Sequence, residues 1–274
     1  MTTVKQWNLQ AAYFCMALLI AFSSVLNPQT ISALSSLPFY GFSPPHRDVN
    51  LPVIIKTQKA ADKIKNGIKG IDVSQFQGNI DWESVANDGI EFAMIRASAG
   101  TATDKKFKIN AKSAHKNDIL VGAYHYATFS SVDEAKEQAR YFIKLLKSIK
   151  VTYPVVLDLE ENKATRNISK AKLTAAGLAF MDTVKKAGYD VMLYSNENFF
   201  LSHIDTRAVR KKGYDLWVAN YIEKPTKVEH KMWQHTSYGR VDGIDSRVDI
   251  NIAYTDLSIN KKNSVDETAS SIET

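Results

Sequence analysis

Short apolar segments rich in β-branched and aromatic residues alternate with amphipathic segments through the middle of the chain. The apolar segments predict eight strands, at Lys69–Ser74, Glu91–Ser98, Ile119–Tyr126, Tyr153–Glu160, Tyr189–Ser195, Tyr214–Tyr221, Lys231–Thr236 and Arg247–Ile252. Helical periodicity follows the first five, at Trp82–Asn87, Lys106–Lys116, Val132–Ser148, Ser169–Ala187 and, more weakly, Glu197–Lys212. The last strands are joined by loops only. This pattern predicts an α/β fold, a TIM-like barrel of modified (β/α)5(β)3 type.

The two ends of the chain follow a different pattern. Residues 11–26 are apolar and uncharged, so residues 1–36 are expected to be a signal peptide or a retained signal anchor. Residues 37–68 contain a Pro-Pro pair and a lysine-rich stretch, which predicts a spacer. Residues 259–274 are polar and aperiodic, as in a frayed tail. The barrel is therefore expected at residues 69–258 of an extracytoplasmic protein, secreted or anchored to the membrane through its N-terminal segment.

Composition narrows the classes of function. The chain has 274 residues, of which 45% are hydrophobic and 23% charged, which is enough apolar material for a full core. The net charge of +6 fits either a solvated lysine-rich surface or attraction to a polyanion. No basic run with interleaved aromatics occurs, so nucleic acid is not expected as a partner. Cys15 is the single cysteine, which excludes a disulfide framework or a cysteine-based metal site in the barrel.

Polar side chains cluster where the predicted strands end. In a β/α barrel these ends gather at one face, where the catalytic residues lie. The clustered residues are Asp72, Ser74, Arg96, Ser98, Tyr124, Tyr126, Asp158, Glu160, Tyr194, Asn196, Asn220, Tyr221, Gln234 and Thr236, with Asp249 and Asn251 on the eighth strand.

Asp158 and Glu160 follow an unbroken apolar run in the fourth predicted strand. Alternation along a strand places both on one side, about 7 Å apart along the backbone. They can be simply exposed or salt-bridged acids where a strand enters a loop. They can also be a catalytic pair, because crowded carboxylates separate their pKa values, as glycosidic bond cleavage by an acid and an ionised partner requires. Asp72 and Asp249 add two further carboxylates to the same rim.

Other kinds of site have less support in the sequence. The six histidines, His46, His115, His125, His203, His230 and His235, lack metal-ligand spacing, although a metal site built from oxygen ligands stays open. His125 alternates with Tyr124 and Tyr126, so it is expected to face the helices as a structural residue. Neither a phosphate-binding glycine loop nor a Gly-x-Ser-x-Gly turn occurs. No cofactor is therefore expected.

Aromatic residues near the predicted rim can stack on sugar rings, although core packing explains each of them singly. Their grouping around the acids favours a sugar site. The predicted substrate-binding residues are Tyr124, Tyr126, Tyr194, Trp217, Tyr221, Gln234 and Arg96.

An ordered set of short motifs then resembles the muramidases of glycoside hydrolase family 25. The set begins with residues 70–78, Gly-Ile-Asp-Val-Ser-Gln-Phe-Gln-Gly, and Ile80-Asp81-Trp82. It continues with residues 92–98, 122–126, 156–160, 193–196, 216–221, 233–235 and 248–251, and it covers about residues 69–256. Each motif is weak alone, but their order is specific.

The resemblance implies a barrel of five βα units and three further strands. It implies hydrolysis of the β-1,4 bond between N-acetylmuramic acid and N-acetylglucosamine in peptidoglycan, by a protein expected to be monomeric. Glu160 would be the general acid, and Asp158 would stabilise the 2-acetamido group or the developing positive charge. Asp72 and Asp249 would be supporting acids. Whether the nucleophile is the acetamido group or an enzyme carboxylate stays open.

Two alternatives from the sequence remain. A chitinase-like enzyme also has Asp-x-Glu on its fourth strand, within Asp-x-x-Asp-x-Asp-x-Glu. Here Tyr153 and Val156 occupy the two earlier positions, which argues against it. A wall-binding protein that keeps the fold without catalysis is the other alternative, and the intact set of four acids argues against that.

Overall fold

The computed structural model describes residues 67–259, which form a closed barrel with helices around it. The strands are β1 (Ile68–Val73), β2 (Phe92–Ala99), β3 (Ala102–Thr103), β4 (Leu120–Tyr126), β5 (Val155–Asp158), β6 (Val191–Asn196), β7 (Asp215–Ala219), β8 (Met232–Gly239) and β9 (Val248–Ala253). The helices are α1 (Trp82–Asn87), α2 (Phe107–Lys116), α3 (Val132–Leu146), α4 (Lys170–Lys186), α5 (Glu197–His203) and α6 (Thr206–Lys211). The predicted barrel is confirmed.

One antiparallel strand closes an otherwise parallel barrel. Neighbouring strands from β1 to β8 run parallel, with β3 only a two-residue hairpin partner of β2. Strand β9 is antiparallel to both of its neighbours, β8 and β1. The first residues of β9 therefore lie at the same end of the barrel as the last residues of the other strands.

The inside of the barrel is apolar at one end and polar at the other. Alternation along the strands turns one buried set inward: Phe92, Met94, Tyr153, Val156, Met192, Tyr194, Trp217, Ala219, Met232 and Ala253. Glycine makes room for the largest members, because a Cβ on Gly70 would lie 2.3 Å from the Phe92 ring. Polar side chains occupy the inward positions beyond this apolar layer, so the site forms at that end.

The helices cover the outside of the barrel through a larger apolar core. Polar residues fix where several of these helices begin. Ser131 accepts a hydrogen bond from the Glu134 backbone N–H at the start of α3, and Asn196 accepts one from Phe199 at the start of α5. Asn196 is the last residue of β6 and also caps α5, so no loop residue separates these two elements at the polar end of the barrel.

Three sequence predictions need correction in detail. The predicted helix Glu197–Lys212 is two helices, because Asp205 accepts hydrogen bonds from two backbone N–H groups and starts α6. The predicted strand Tyr153–Glu160 is shorter, so Glu160 lies beyond the end of β5. Tyr221 likewise lies in the loop after β7.

The predicted segment 1–36, nearly all of 37–68 and all but the first residue of 259–274 lie outside the described residues. Within residues 67–259, no helix is long and apolar enough to cross a bilayer.

Candidate active site

A polar cleft of about 250 Å³ opens at the end of the barrel where β1 to β8 finish. Nine of the eleven predicted site residues line it: Asp72, Tyr124, Asp158, Glu160, Tyr194, Trp217, Tyr221, Gln234 and Asp249. They come from seven different strands or the loops that follow them. The structure therefore brings together side chains that are far apart in sequence.

Asp158 and Glu160 enter this cleft from the end of β5. Beyond the strand the backbone stays fixed, because the Leu159 N–H donates to the Tyr194 carbonyl at 3.0 Å and the Ser195 hydroxyl donates to the Leu159 carbonyl at 2.7 Å. Leu159 points away into the outer core. The expected alternation thus continues past the strand and keeps both carboxyls on the same side.

Asp158 is the more deeply placed of the two acids. Its side chain is 6% exposed, and Oδ1 is buried without a hydrogen-bond partner among the described residues. Burial, followed by the nearby charges of Glu160 and Asp72, raises the pKa of Asp158 well above its ordinary value. Arg96 opposes this shift in part. Asp158 is therefore a buried acid whose free oxygen can accept a hydrogen bond from a ligand.

Glu160 is less enclosed and remains in contact with solvent. Burial raises its pKa as well, and the charge of Asp249 adds to the effect. A carboxyl with a raised pKa near solvent can hold a proton, transfer it and regain it. This is the behaviour that a general acid needs.

Asp72 and Asp249 lie opposite each other on the antiparallel pair β1 and β9. Asp72 Oδ1 accepts hydrogen bonds from Gln234 Nε2 and Asn251 Nδ2, both at 2.8 Å. The two carboxyls also interact with each other. Burial is the main cause that raises both pKa values, and the charge of Asp249 adds to the shift at Asp72.

A hydrogen-bond network anchors this pair to the aromatic wall of the cleft. Tyr194 and Tyr221 both donate to Gln234 Oε1, at 2.8 and 2.7 Å, so the Gln234 amide turns its nitrogen toward Asp72. On the other side, Trp217 Nε1 donates to Asn251 Oδ1 at 3.0 Å. The sequence placed Asn251 among the polar residues of the rim, but not among the predicted catalytic or substrate-binding residues. Its position two residues after Asp249 on the same face of β9 was the available signal.

Arg96 and Tyr126 are the two predicted substrate-binding residues that do not line the cleft. Arg96 donates through Nε and Nη2 to one oxygen of buried Asp104, at 2.9 and 2.8 Å, and its guanidinium lies over the Phe76 ring. Tyr126 lies near Asn162, and burial is the main cause that raises its pKa. Arg96 thus affects the cleft through its charge near Asp158, and Asp104 holds it there.

His125 faces the helices, as its alternation with Tyr124 predicted. It is fully buried between Ser98 and Gln138, away from the cleft. Within residues 67–259, no group of three or more His, Cys, Asp or Glu side chains is arranged to hold a metal ion.

The family model described as "Glycosyl hydrolases family 25" matches residues 71–244. The chain belongs to this family. The match runs from the residue before Asp72 through β8 and contains Asp158 and Glu160, and the family resemblance inferred from the motifs is confirmed.

Relatives match the chain in sequence, and a solved structure matches it in fold. Lysozyme M1 of Streptomyces globisporus is 30% identical over 199 residues, which cover 68% of this chain and 67% of that protein. The uncharacterized protein YegX of Escherichia coli K12 is 30% identical over 255 residues, covering 87% of this chain and 88% of that protein. The solved bacterial lysozyme from Streptomyces coelicolor superposes with a TM-score of 0.61 at 28% identity, over 71% of this chain and 94% of that one.

Proposed function

We propose that this chain is a muramidase, which hydrolyses the β-1,4 bond between N-acetylmuramic acid and N-acetylglucosamine in bacterial peptidoglycan. The observation that carries the proposal is the pair Asp158 and Glu160, one buried with an unpartnered oxygen and one open to solvent, in a cleft with two further acids. Family membership and the lysozymes among the relatives support the same chemistry.

In this mechanism Glu160 protonates the glycosidic oxygen as the bond to the leaving sugar breaks. Water then adds to the anomeric carbon and gives its proton to Glu160, which restores the acid. Asp158 Oδ1 accepts a hydrogen bond from the N–H of the substrate's 2-acetamido group. This N–H supplies the donor that Asp158 Oδ1 lacks among the described residues. A hydrogen bond from that N–H favours the ionised form of Asp158, and its charge then stabilises the positive charge near the anomeric carbon. Substrate binding thereby favours ionised Asp158 beside protonated Glu160.

The remaining cleft residues position the sugar. The raised pKa values of Asp72 and Asp249 favour their protonated forms, which limits the negative charge near Glu160. Tyr194, Tyr221 and Gln234 hold one another and Asp72 in fixed orientations. The chitinase motif has an aspartate at the position of Val156. Val156 instead lies in the apolar layer inside the barrel, which argues against a chitinase-like site.

The test compares the full-length protein with Glu160→Gln on purified peptidoglycan, and mass spectrometry identifies the new reducing ends. We expect reducing N-acetylmuramic acid ends from the wild type and a loss of about 10²- to 10⁴-fold in rate for the variant, because general acid catalysis contributes that much. Glu161→Gln is the matched control, because Glu161 is the next residue and is exposed. It should retain wild-type activity.

Two outcomes contradict the proposal. Reducing N-acetylglucosamine ends would place the cut at the other bond of the glycan. Equal rates for wild type and Glu160→Gln would remove Glu160 from the chemistry and favour a different catalytic group.

We also infer that the chain acts outside the cytoplasm as a monomer, with residues 1–36 directing its export. A substrate in the cell wall and the apolar segment at residues 11–26 support this location. Fractionation of cells that express the full chain tests it, and recovery of the protein only in the cytoplasm would contradict it. Size-exclusion chromatography with light scattering tests the monomer.

A further inference from the structure

A second cavity adjoins the catalytic cleft, with a volume of about 370 Å³. It lies between the start of α5 and the loop at residues 220–227 that follows β7. Tyr221 belongs to the walls of both cavities, so the two cavities meet at this residue.

Hydrogen bonds of the Glu197 and Asn220 side chains hold the loop in place beside this cavity. The Glu197 carboxylate accepts hydrogen bonds from Asn220 Nδ2 at 2.9 Å and from the Lys227 backbone N–H at 3.1 Å. Asn220 Oδ1 accepts from the backbone N–H groups of Ile222 and Glu223, at 3.1 and 3.3 Å. The cavity therefore exists without a ligand, which reduces the entropy cost of binding one.

The groups that remain available in the cavity differ in chemistry from those in the catalytic cleft. The Asn198 amide, the Glu223 carboxylate and the Lys227 ammonium belong to exposed residues of the wall, and Ile222 is 96% exposed at its rim. Of the described residues that line the two cavities, Lys227 is the one with a positive charge. The neighbouring cleft has four carboxyls.

We propose that this cavity binds the peptide stem of peptidoglycan. The inference rests on the proposed muramidase function, since the stem is attached to N-acetylmuramic acid, one of the two sugars at the cleaved bond. Stem carboxylates can pair with Lys227, the one cationic side chain among the described residues that line the two cavities. The peptide amides can pair with Asn198, and the amino group of a diamino acid in the stem with Glu223. A further uncharged sugar ring could hydrogen-bond to these groups, but it has no charge to pair with Lys227 or Glu223.

The experiment uses two substrates, glycan chains with their stems and the same chains after an amidase has removed the stems. The full-length wild type is compared with Lys227→Met and Lys227→Glu. On stem-bearing chains we expect Lys227→Met to raise KM about three- to fivefold, as the loss of an exposed ion pair predicts, and Lys227→Glu to raise it further. The kcat should not change. On stripped chains both variants should match the wild type.

Lys172→Met is the matched control, since Lys172 is an exposed lysine on α4 outside both cavities. Variants that hydrolyse both substrates with wild-type KM, or whose KM rises equally on stripped chains, would overturn the stem site and leave the muramidase proposal intact. Failure of the wild type on both substrates would overturn the muramidase proposal. Co-sedimentation of Glu160→Gln with each substrate then tests the stem site without hydrolysis, and equal binding to the two would overturn it.

Discussion

The barrel wall has a polar cluster on each of its two sides. The mouth cluster, inside the barrel, consists of Asp72, Asp158, Glu160 and Asp249. The histidine cluster, between the barrel and the helices, consists of Ser98, His125 and Gln138. Both depend on strand alternation, yet they differ in how far their polar atoms are satisfied.

Every polar atom of His125 has a partner. Its Nε2 meets Gln138 Oε1 at 2.9 Å, which can only accept, so Nε2 bears the proton and Nδ1 accepts from the Ser98 hydroxyl at 2.8 Å. Gln138 in turn is bonded to Thr128, and the imidazole ring stacks on Phe180. Burial lowers the pKa of His125 to about 4, so it is neutral in the folded protein near neutral pH.

The polar atoms of the mouth cluster, in contrast to those of His125, are not all hydrogen-bonded within the described residues. The four carboxyls of the mouth cluster have raised pKa values because of burial and one another's charges, and Asp158 Oδ1 has no partner among the described residues. Burial of like-charged groups opposes folding, and a satisfied network such as that of His125 avoids the cost. The difference indicates which cluster serves the fold and which one a ligand completes.

Among the tests of this difference between the two clusters, we expect Asp158→Asn to have the largest effect. We expect hydrolysis to fall by about 10²- to 10³-fold, because the charge that stabilises the transition state is removed. Stability at pH 7 should rise by about 1 kcal/mol, because the neutral amide avoids burying a carboxylate. Peptidoglycan turnover and urea denaturation measure the two effects.

Asp133→Asn is the control, since Asp133 is an exposed aspartate in the first turn of α3. It should change neither activity nor stability by much. A destabilised Asp158→Asn protein would show that Asp158 supports the fold, and the contrast between the two clusters would then fail.

Alternation and strand ends were enough to predict much of the mouth cluster. Asp72 and Asp158 lie at the ends of parallel strands, where the barrel rule places a site. Asp249 lies near the start of β9 and reaches the mouth only because that strand is antiparallel. Strand direction depends on how the chain closes the barrel, which periodicity does not report.

Side-chain partners were harder to predict than positions. The ion pair between Arg96 and Asp104 depends on the β2–β3 hairpin. Strand β3 has only two residues, which is too short to show an alternating pattern in the sequence. Asn251 owes its role to Trp217 and Asp72, far away in sequence. Such contacts are set by tertiary packing, so the sequence could place Asn251 at the rim but could not predict its partners.

The two clusters are expected to change the pH dependence of the unfolding free energy in opposite directions. The folded pKa of His125 lies at about 4, below the unfolded value of 6.5, so its contribution is complete above pH 6.5 and is lost as pH falls toward 4. This loss amounts to about 3 kcal/mol. His125→Gln should remove that part of the decline in unfolding free energy between pH 6.5 and 4.

The mouth carboxyls have raised pKa values, so their contribution is complete at low pH and is lost as pH rises through those values. Asp158→Asn should therefore make the decline toward pH 4 steeper, while His125→Gln makes it shallower. Urea denaturation at several pH values measures both slopes. The same slope in wild type and His125→Gln would show that His125 takes up its proton equally in the folded and unfolded states.

Ser98→Ala tests the histidine cluster with the smallest change. It leaves Nδ1 of buried His125 without a partner, so we expect a loss of about 1–3 kcal/mol in unfolding free energy. Activity per folded molecule should stay within about twofold, because the cluster faces the helices. Ser202 and His203 form the same kind of pair in an exposed position, so Ser202→Ala should cost less than about 0.5 kcal/mol. Equal losses in the two alanine variants would mean that burial does not decide the contribution of a Ser–His hydrogen bond in this barrel.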